Sequence, residues 1–311
     1  MQIAIVGANG LIARDLCERL LIEGVHELTL YTRKPEFVAT WARALSKRNA
    51  VQSLPYTAFP PKRPIDVIIN FVGVADPRTA NALGKKVFEL SSEFDERCLG
   101  FVRNHPGCRY LFISSGAVFG SVFDRPASAD TQALVNLNHP KPSDWYGLAK
   151  LYAELGHRAM KDHYIFDIRV FGYVSRNQSP SAQFLISDII RHLINKEILH
   201  TSSDHIVRDY LHPDDFKSLI SLLLDTEPDN MPLDAFSQSP VDKHTLLEKI
   251  KAVFGLQYVS SPPTPNGGDT SRSVYYSENR VAEMLGYMPR YNSLSGVIKE
   301  VGFAISKSLF K

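Results

Sequence analysis

Ile3-Ala4-Ile5-Val6-Gly7-Ala8-Asn9-Gly10-Leu11-Ile12-Ala13 is the stretch on which the reading of the fold turns. Ile3 to Val6 is a short apolar run suited to a strand buried on both faces. The residues after it follow a helical pattern, with Ile12, Leu16 and Leu20 on one stripe and Arg14, Asp15, Glu18 and Arg19 off it. Between strand and helix sits Gly7-x-x-Gly10-x-x-Ala13. Gly7 can take backbone angles closed to other residues. Gly10 leaves room for a pyrophosphate against the backbone, and Ala13 lets the helix pack close to the strand. The free N–H groups at the helix start suit phosphate oxygens. The stretch therefore predicts a dinucleotide site, with Asn9, Leu11 and Ile12 lining it beside the glycines. A tight turn without a ligand is the plainer alternative.

Working outward, further strands are expected at Glu27 to Tyr31, Val51 to Leu54, Asp66 to Phe71, Arg109 to Ser114 and Tyr164 to Val170. Helical patterns separate them at Pro35 to Ser46, Leu83 to Asn104 and Ser143 to Lys161. Strands alternating with helices imply an α/β fold, a Rossmann-type, doubly wound parallel sheet of about seven strands. Beyond it, helices at Pro180 to Asn195, Phe216 to Leu224, Asp242 to Phe254, Asn279 to Leu285 and Ser293 to Phe303, with a strand-like piece at Glu197 to Thr201, suggest a small α/β substrate lobe. The expected division is 1–171 for the dinucleotide-binding domain and 172–311 for the lobe, with about 206–225 packing back on the first domain. Asp214 and Asp215 are expected to cap the helix after them.

Ligands bind such sheets at the carboxyl ends of the strands. After the second strand a ribose-binding carboxylate is expected, yet the residues are Thr32, Arg33 and Lys34. An uncharged residue followed by cations suits a 2′-phosphate, so the cofactor is read as NADP, with NAD the alternative. Phe71, Val72 and Gly73 end the fourth strand, where a small residue lets a ring lie across. Ser114 and Ser115 end the fifth. Ser114 is assigned to the cofactor and Ser115 to a substrate oxygen, with a strand-capping serine the plainer alternative. In the next helix Tyr146 and Lys150 stand four residues apart, on one face. A free tyrosine has a pKa of about 10, and an ammonium one turn away favours the phenolate. The pair reads as a phenol tuned for proton transfer to or from an alcohol or ketone, or, taken alone, as a half-buried tyrosine beside a surface lysine.

Composition sets bounds. The 311 residues are 44% hydrophobic and 22% charged, as in ordinary globular chains. A net charge of +2, with no basic block interleaved with aromatics, points away from nucleic acid. Cys17, Cys98 and Cys108 have no metal-type spacing and fit a reducing cytoplasm, so no metal site is expected. The chain opens on a strand with no basic n-region, and the apolar run from Val67 to Ala75 is too short to span a bilayer. A cytoplasmic protein without a membrane partner is expected.

The motifs occur in a telling order. Gly7-x-x-Gly10-x-x-Ala13, Ser114-Ser115-Gly116-Ala117-Val118-Phe119-Gly120 and Tyr146-x-x-x-Lys150 are followed by Arg208-Asp209-Tyr210-Leu211-His212-Pro213-Asp214-Asp215 and Leu285-Gly286-Tyr287-Met288-Pro289. From Ile3 to about Val301 the chain resembles the extended short-chain dehydrogenase/reductases, the nucleotide-sugar epimerases, dehydratases and 4-ketoreductases. The resemblance implies Tyr146 as acid/base and Lys150 as the holder of the nicotinamide ribose that lowers the tyrosine pKa. It implies Ser115 as the binder of the reacting oxygen and Arg208 as a contact to the substrate diphosphate. An ion pair between Arg208 and an acid such as Asp214 is the competing assignment.

The chain departs from the family pattern as well. Dehydratases carry Asp-Glu after the catalytic hydroxyl, where this chain has Gly116 and Ala117. Arg169-Val170-Phe171-Gly172 lacks the family's substrate-contacting asparagine. The expected activity is thus NAD(P)-dependent oxidoreduction at C4 of a nucleotide-diphosphate sugar, with an NADPH-dependent 4-keto-sugar reductase favoured. An NAD-retaining epimerase and a non-catalytic dinucleotide-sensing scaffold are the alternatives. Family members often dimerise through the helices at about Leu83 to Asn104 and Ser143 to Lys161, which makes a homodimer an expectation here.

Overall fold

The computed structural model describes residues 1–46, 51–74, 77–121, 123–179, 182, 184–262 and 273–309. The first half alternates β1 (Gln2–Val6), α1 (Leu11–Glu23), β2 (Glu27–Thr32), α2 (Pro35–Leu45), β3 (Gln52–Pro55), β4 (Val67–Asn70), α3 (Pro77–Leu83), α4 (Lys86–Asn104), β5 (Arg109–Ser115), α5 (Trp145–Arg158) and β6 (Ile165–Val170). The second half carries β7 (Gly172–Tyr173), α6 (Leu185–Asn195), β8 (Leu199–Ser202), β9 (Val207–Arg208), β10 (Tyr210–Leu211), α7 (Pro213–Asp225), β11 (Asn230–Ala235), β12 (Val241–Asp242), α8 (Lys243–Phe254), β13 (Tyr258–Ser261), β14 (Val274–Tyr275), α9 (Val281–Met284) and α10 (Ser293–Leu309).

Seven parallel strands form the main sheet in the order β11-β6-β5-β4-β1-β2-β3. The winding direction reverses between β1 and β4, which lie side by side with Val6 opposite Asn70. The period of two along each strand feeds both faces. Ile3, Ile5, Leu28, Leu30, Val67, Ile69, Leu111 and Ile113 pack under α1, α2 and α7. Ala4, Val6, Tyr31, Ile68, Tyr110 and Phe112 pack on the opposite side with Phe94, Cys98 and Val102 of α4. Each Val, Ile, Leu or Phe among them contributes about 1.5–3 kcal/mol when fully buried, which is why strands this apolar are stable only with helices on both faces.

After β6 the chain leaves the sheet and then returns. α7 packs its Phe216, Leu219 and Leu223 into the first face, and β11 adds the seventh strand beside β6. The return runs to Ala235, past the stretch 206–225 expected of it. A separate apolar core, including Ile186, Ile190, Leu246, Ile250, Val297 and Val301, joins α6, α8 and α10. Three expectations are corrected. The helix read from Leu83 to Asn104 begins at Lys86; Leu83 is the last residue of α3, which Gly84 ends with a left-handed φ of 56°. The helix read from Pro180 starts at Leu185, and the start of that reading lies outside the described residues. Asp214 and Asp215 do not cap α7; His212 does, its Nδ1 accepting from the Asp214 N–H. No helix among the described residues is long and apolar enough to cross a membrane.

Candidate active site

The glycine turn follows β1 closely. Gly7 and Ala8 donate their N–H groups to Tyr31 O at 3.0 and 3.1 Å, and Gly10 donates to Gly7 O at 2.9 Å. Gly7 has φ 90°, and a Cβ on it would stand 3.1 Å from the Phe71 carbonyl carbon. Only glycine fits both demands. Gly10 begins α1 in an extended conformation, and no side chain caps the helix. The first-turn amides of α1, at Leu11 and Ile12, are therefore suited to a ligand's phosphate oxygens. Asn9 is exposed beside them, and Ile12 is partly buried against the core. At the end of β2, Thr32 is buried and accepts from Lys34 N–H at 3.2 Å, while Arg33 is exposed and lies where its charge reaches the Tyr56 phenol.

Across the switch point, β4 ends where α5 begins its work. Asn70 Oδ1 accepts from Val72 N–H at 2.9 Å and so bends the strand end. A Cβ on Gly73 would stand 3.2 Å from Lys150 Nζ and 3.4 Å from Tyr146 Cε2. Lys150 is 1% exposed. Its ammonium donates to Val72 O at 3.0 Å and to Ile113 O at 2.8 Å, and lies 4.0 Å from the Phe112 ring centroid. It thus joins the ends of β4 and β5. Burial pushes its pKa down to about 8, against the opposing pull of Asp95, Glu154 and Asp167.

Ser115 closes β5, and its Oγ accepts from Ala117 N–H at 3.2 Å. The Tyr146 phenol lies near enough to the Ser115 hydroxyl for the hydroxyl to favour its ionised form. What brings α5 this close is Gly147, whose Cβ, if present, would stand 2.3 Å from Ala117 O. Tyr146 does not show the lowered pKa expected of it. Burial pushes the phenol up, the neighbouring Tyr275 adds to this, and the nearby Ser115 hydroxyl only partly offsets it. Lys150, whose hydrogen bonds go to two carbonyls, is not among the groups that set it.

Ser114 is turned away from the cleft, its hydroxyl donating to Glu154 Oε1 at 2.5 Å. Glu154, one turn beyond Lys150, is held in turn by Arg169. Phe71 packs its ring toward Phe216, 6.2 Å between centroids, and presents its backbone to Gly7.

Two site residues escaped the sequence reading. Tyr275 is 7% exposed, and its hydroxyl is 3.2 Å from Ser115 Oγ. Arg208 lies beside it in the neighbouring strand, with its guanidinium carbon 5.8 Å from the Tyr275 ring centroid. Arg208 donates to Val207 O and Ser273 O, and Asp214 pairs instead with Arg19 and Lys299. The structure thus brings Ser115, Tyr146, Lys150, Gly73, Tyr275 and Arg208 into one neighbourhood. Gly147, the second residue missed, sat inside the Tyr-x-x-x-Lys motif; only its contact across the turn reveals its role. Phe171 fills the space beside Gly116, where a Cβ would stand 2.3 Å from its ring.

No curated protein matches the chain in sequence. Solved structures match its fold. UDP-glucuronic acid 4-epimerase from Bacillus cereus, in complex with UDP-glucuronic acid and NAD, is similar with a TM-score of 0.78 at 17% identity, covering 99% of each chain. UDP-glucose-4-epimerase from Stenotrophomonas maltophila, with bound NAD and formylated UDP-arabinopyranose, gives 0.80 at 16% identity over 100% of each chain. The dTDP-glucose 4,6-dehydratase from Bacillus anthracis in complex with NAD gives 0.79 at 15% identity, covering 100% of this chain and 98% of that one. The model of one protein family matches residues 3–233, the stretch that holds the glycine turn, Ser115, Tyr146, Lys150 and Arg208. The chain belongs to the NAD dependent epimerase/dehydratase family.

Proposed function

We propose that the chain is an NAD(P)-dependent oxidoreductase acting at C4 of a nucleotide-diphosphate sugar, working as a 4-keto-sugar reductase with NADPH. The observation that carries this reading is the gathering of Ser115, Tyr146 and Lys150 against Gly73, at the strand ends beside the glycine turn. Gly7, Asn9, Gly10, Leu11 and Ile12 would hold the cofactor's pyrophosphate. Thr32 and Arg33 would meet the adenosine ribose, and Phe71, Val72, Gly73, the Ser114 backbone and Lys150 the nicotinamide end. When bound, NADPH supplies the hydride that reduces the ketone carbon. Tyr146 gives its phenolic proton to the ketone oxygen, so that a ketone, a hydride and a proton make one alcohol. Ser115 orients that oxygen. The phenolate left behind takes a proton back from solvent. Arg208 offers a guanidinium fork to the diphosphate.

Gly116 argues against dehydration. An acid there would run into the buried Phe171 ring, and Ala117 has no proton to move. The choice of NADPH follows from Thr32 and Arg33, since a net reductase draws on a reduced pool. A second reading on the same residues is an epimerase that keeps its NAD; two of the similar structures are 4-epimerases with bound NAD.

The test is a panel of nucleotide-4-keto-sugars assayed for NADPH and NADH consumption. Oxidation of NADPH by one of them is the expected result. Purified protein that carries bound cofactor and interconverts C4 epimers with none added would establish the second reading. The same family expectation predicts a homodimer through α4 and α5, where Tyr152 and Leu155 are 70% and 63% exposed. Light scattering that gives a monomer at working concentration would remove it.

A further inference from the structure

Ser115 has a hydroxyl with one proton to give and two lone pairs to receive. One lone pair is taken, because Ala117 N–H can only donate, and it does so to Ser115 Oγ at 3.2 Å. Two phenols face the same oxygen, Tyr146 and Tyr275. Were Ser115 to give its proton to Tyr275, it would have none left for a substrate oxygen. We infer that Tyr275 donates its phenolic proton to Ser115 Oγ and so leaves Ser115 a hydrogen-bond donor aimed at Tyr146 and the reacting oxygen. Tyr275 is a positioning residue that acts through Ser115. The inference rests on the triad proposed above.

The placement of Tyr275 is built rather than incidental. Tyr275 sits in β14, in parallel register with Arg208 of β9. The residues after it are clamped to Ala127: Ala127 N–H donates to Tyr276 O at 2.9 Å, and Glu278 N–H donates to Ala127 O at 2.7 Å. Ser277 Oγ donates to the buried Asp234. The Tyr275 ring is edge-on to Phe123, 4.8 Å between centroids at 83°, and lies 5.2 Å from Phe171. These contacts hold the ring whether or not it bears a hydroxyl. Tyr275→Phe therefore removes one donor and leaves the packing in place.

Two measurements test the direction of that bond. The first needs no turnover. In the full chain labelled at tyrosine Cζ, a phenol that donates is shifted downfield toward its phenolate, and one that accepts is shifted upfield. Ser115→Ala is expected to move the Tyr275 resonance upfield, that resonance being identified by its loss in Tyr275→Phe. A downfield move, or none, overturns the inference.

The second measurement is a double-mutant cycle with UDP-4-keto-6-deoxyglucose and NADPH. Tyr275→Phe is expected to lower kcat about 10-fold, the size of one hydrogen bond, with little change in KM. In a Ser115→Ala background the same change should cost nothing further. An equal loss in both backgrounds, or a loss carried in KM, means that Tyr275 meets the substrate itself and overturns the inference. Tyr146→Phe is the control. If that variant turns over normally, the triad reading has failed; if it is inactive while Tyr275→Phe is fully active, only the present inference has.

Discussion

The two halves of the cleft are made differently. On the side proposed for the cofactor, Gly7, Gly10 and Gly73 contribute backbone and empty space. On the substrate side, Tyr275, Arg208 and Phe171 contribute bulk and hydrogen-bonding groups from strands far apart in sequence. A phosphate needs only amides and room, which a local turn can provide. A particular sugar needs side chains converging from several directions.

The comparison can be tested most sharply at the residue between the halves. Tyr146→Phe is expected to lower kcat by about 10²- to 10⁴-fold while leaving NADPH affinity and melting temperature nearly unchanged. Tighter coupling, with cofactor binding lost as well, would mean that the halves are not separable.

The buried ion groups behind each half should respond to pH in opposite ways. His157, near the end of α5, lies between Asp95 and Asp167. Burial lowers its pKa, but the two carboxylates outweigh that and raise it to about 9. Its contribution is full below the ordinary histidine value and is lost as pH rises from about 6.5 through 9. Glu300 of α10 is the reverse case. Burial raises its pKa, but His212 and Arg176 bring it down to about 2. That contribution is present above the ordinary value of 4.5 and is lost as pH falls toward 2. Each is worth on the order of 3 kcal/mol at most. Urea midpoints from pH 3 to pH 9.5 should therefore fall at both ends, with His157→Gln flattening only the alkaline limb.

Smaller effects sharpen the contrast further. Arg208→Ala should raise KM for the nucleotide-sugar by about 10- to 100-fold, the range for charged hydrogen bonds, with little change in KM for NADPH. Arg33→Ala should do the converse, raising KM for NADPH by about 10-fold and leaving that for NADH alone. A variant that moved both constants together would place its arginine at the junction of the halves.

The same division explains what could be read from sequence. β1, the glycine turn and α1 were legible because strand period, turn chemistry and helix stripe all lie within Ile3 to Leu20. Tyr146 and Lys150 were legible because one helix carries both. Tyr275 gave no local signal, since its meaning comes from Ser115, which only folding brings near. The α7 cap was misread for a similar reason. Asp214 is drawn to Arg19 and Lys299, and Asp215 accepts from Arg290 and Tyr291 N–H, which leaves the helix start to His212. The raised Tyr146 pKa was not legible because it comes from burial of the phenol, which the whole cleft decides and one turn of helix does not.

The seat of Gly147 on the carbonyl of Ala117 has one more consequence. The spacing of phenol and serine is set where the helix rests on the turn, so the connection between them need not act as a ruler. Residues 135–141 of that connection are exposed and carry Leu137 out into solvent. A guest module spliced in there, such as a reporter or an affinity handle, should leave the reacting groups in register. Evolution has the same freedom to lengthen that loop and try new substrates over an unchanged centre.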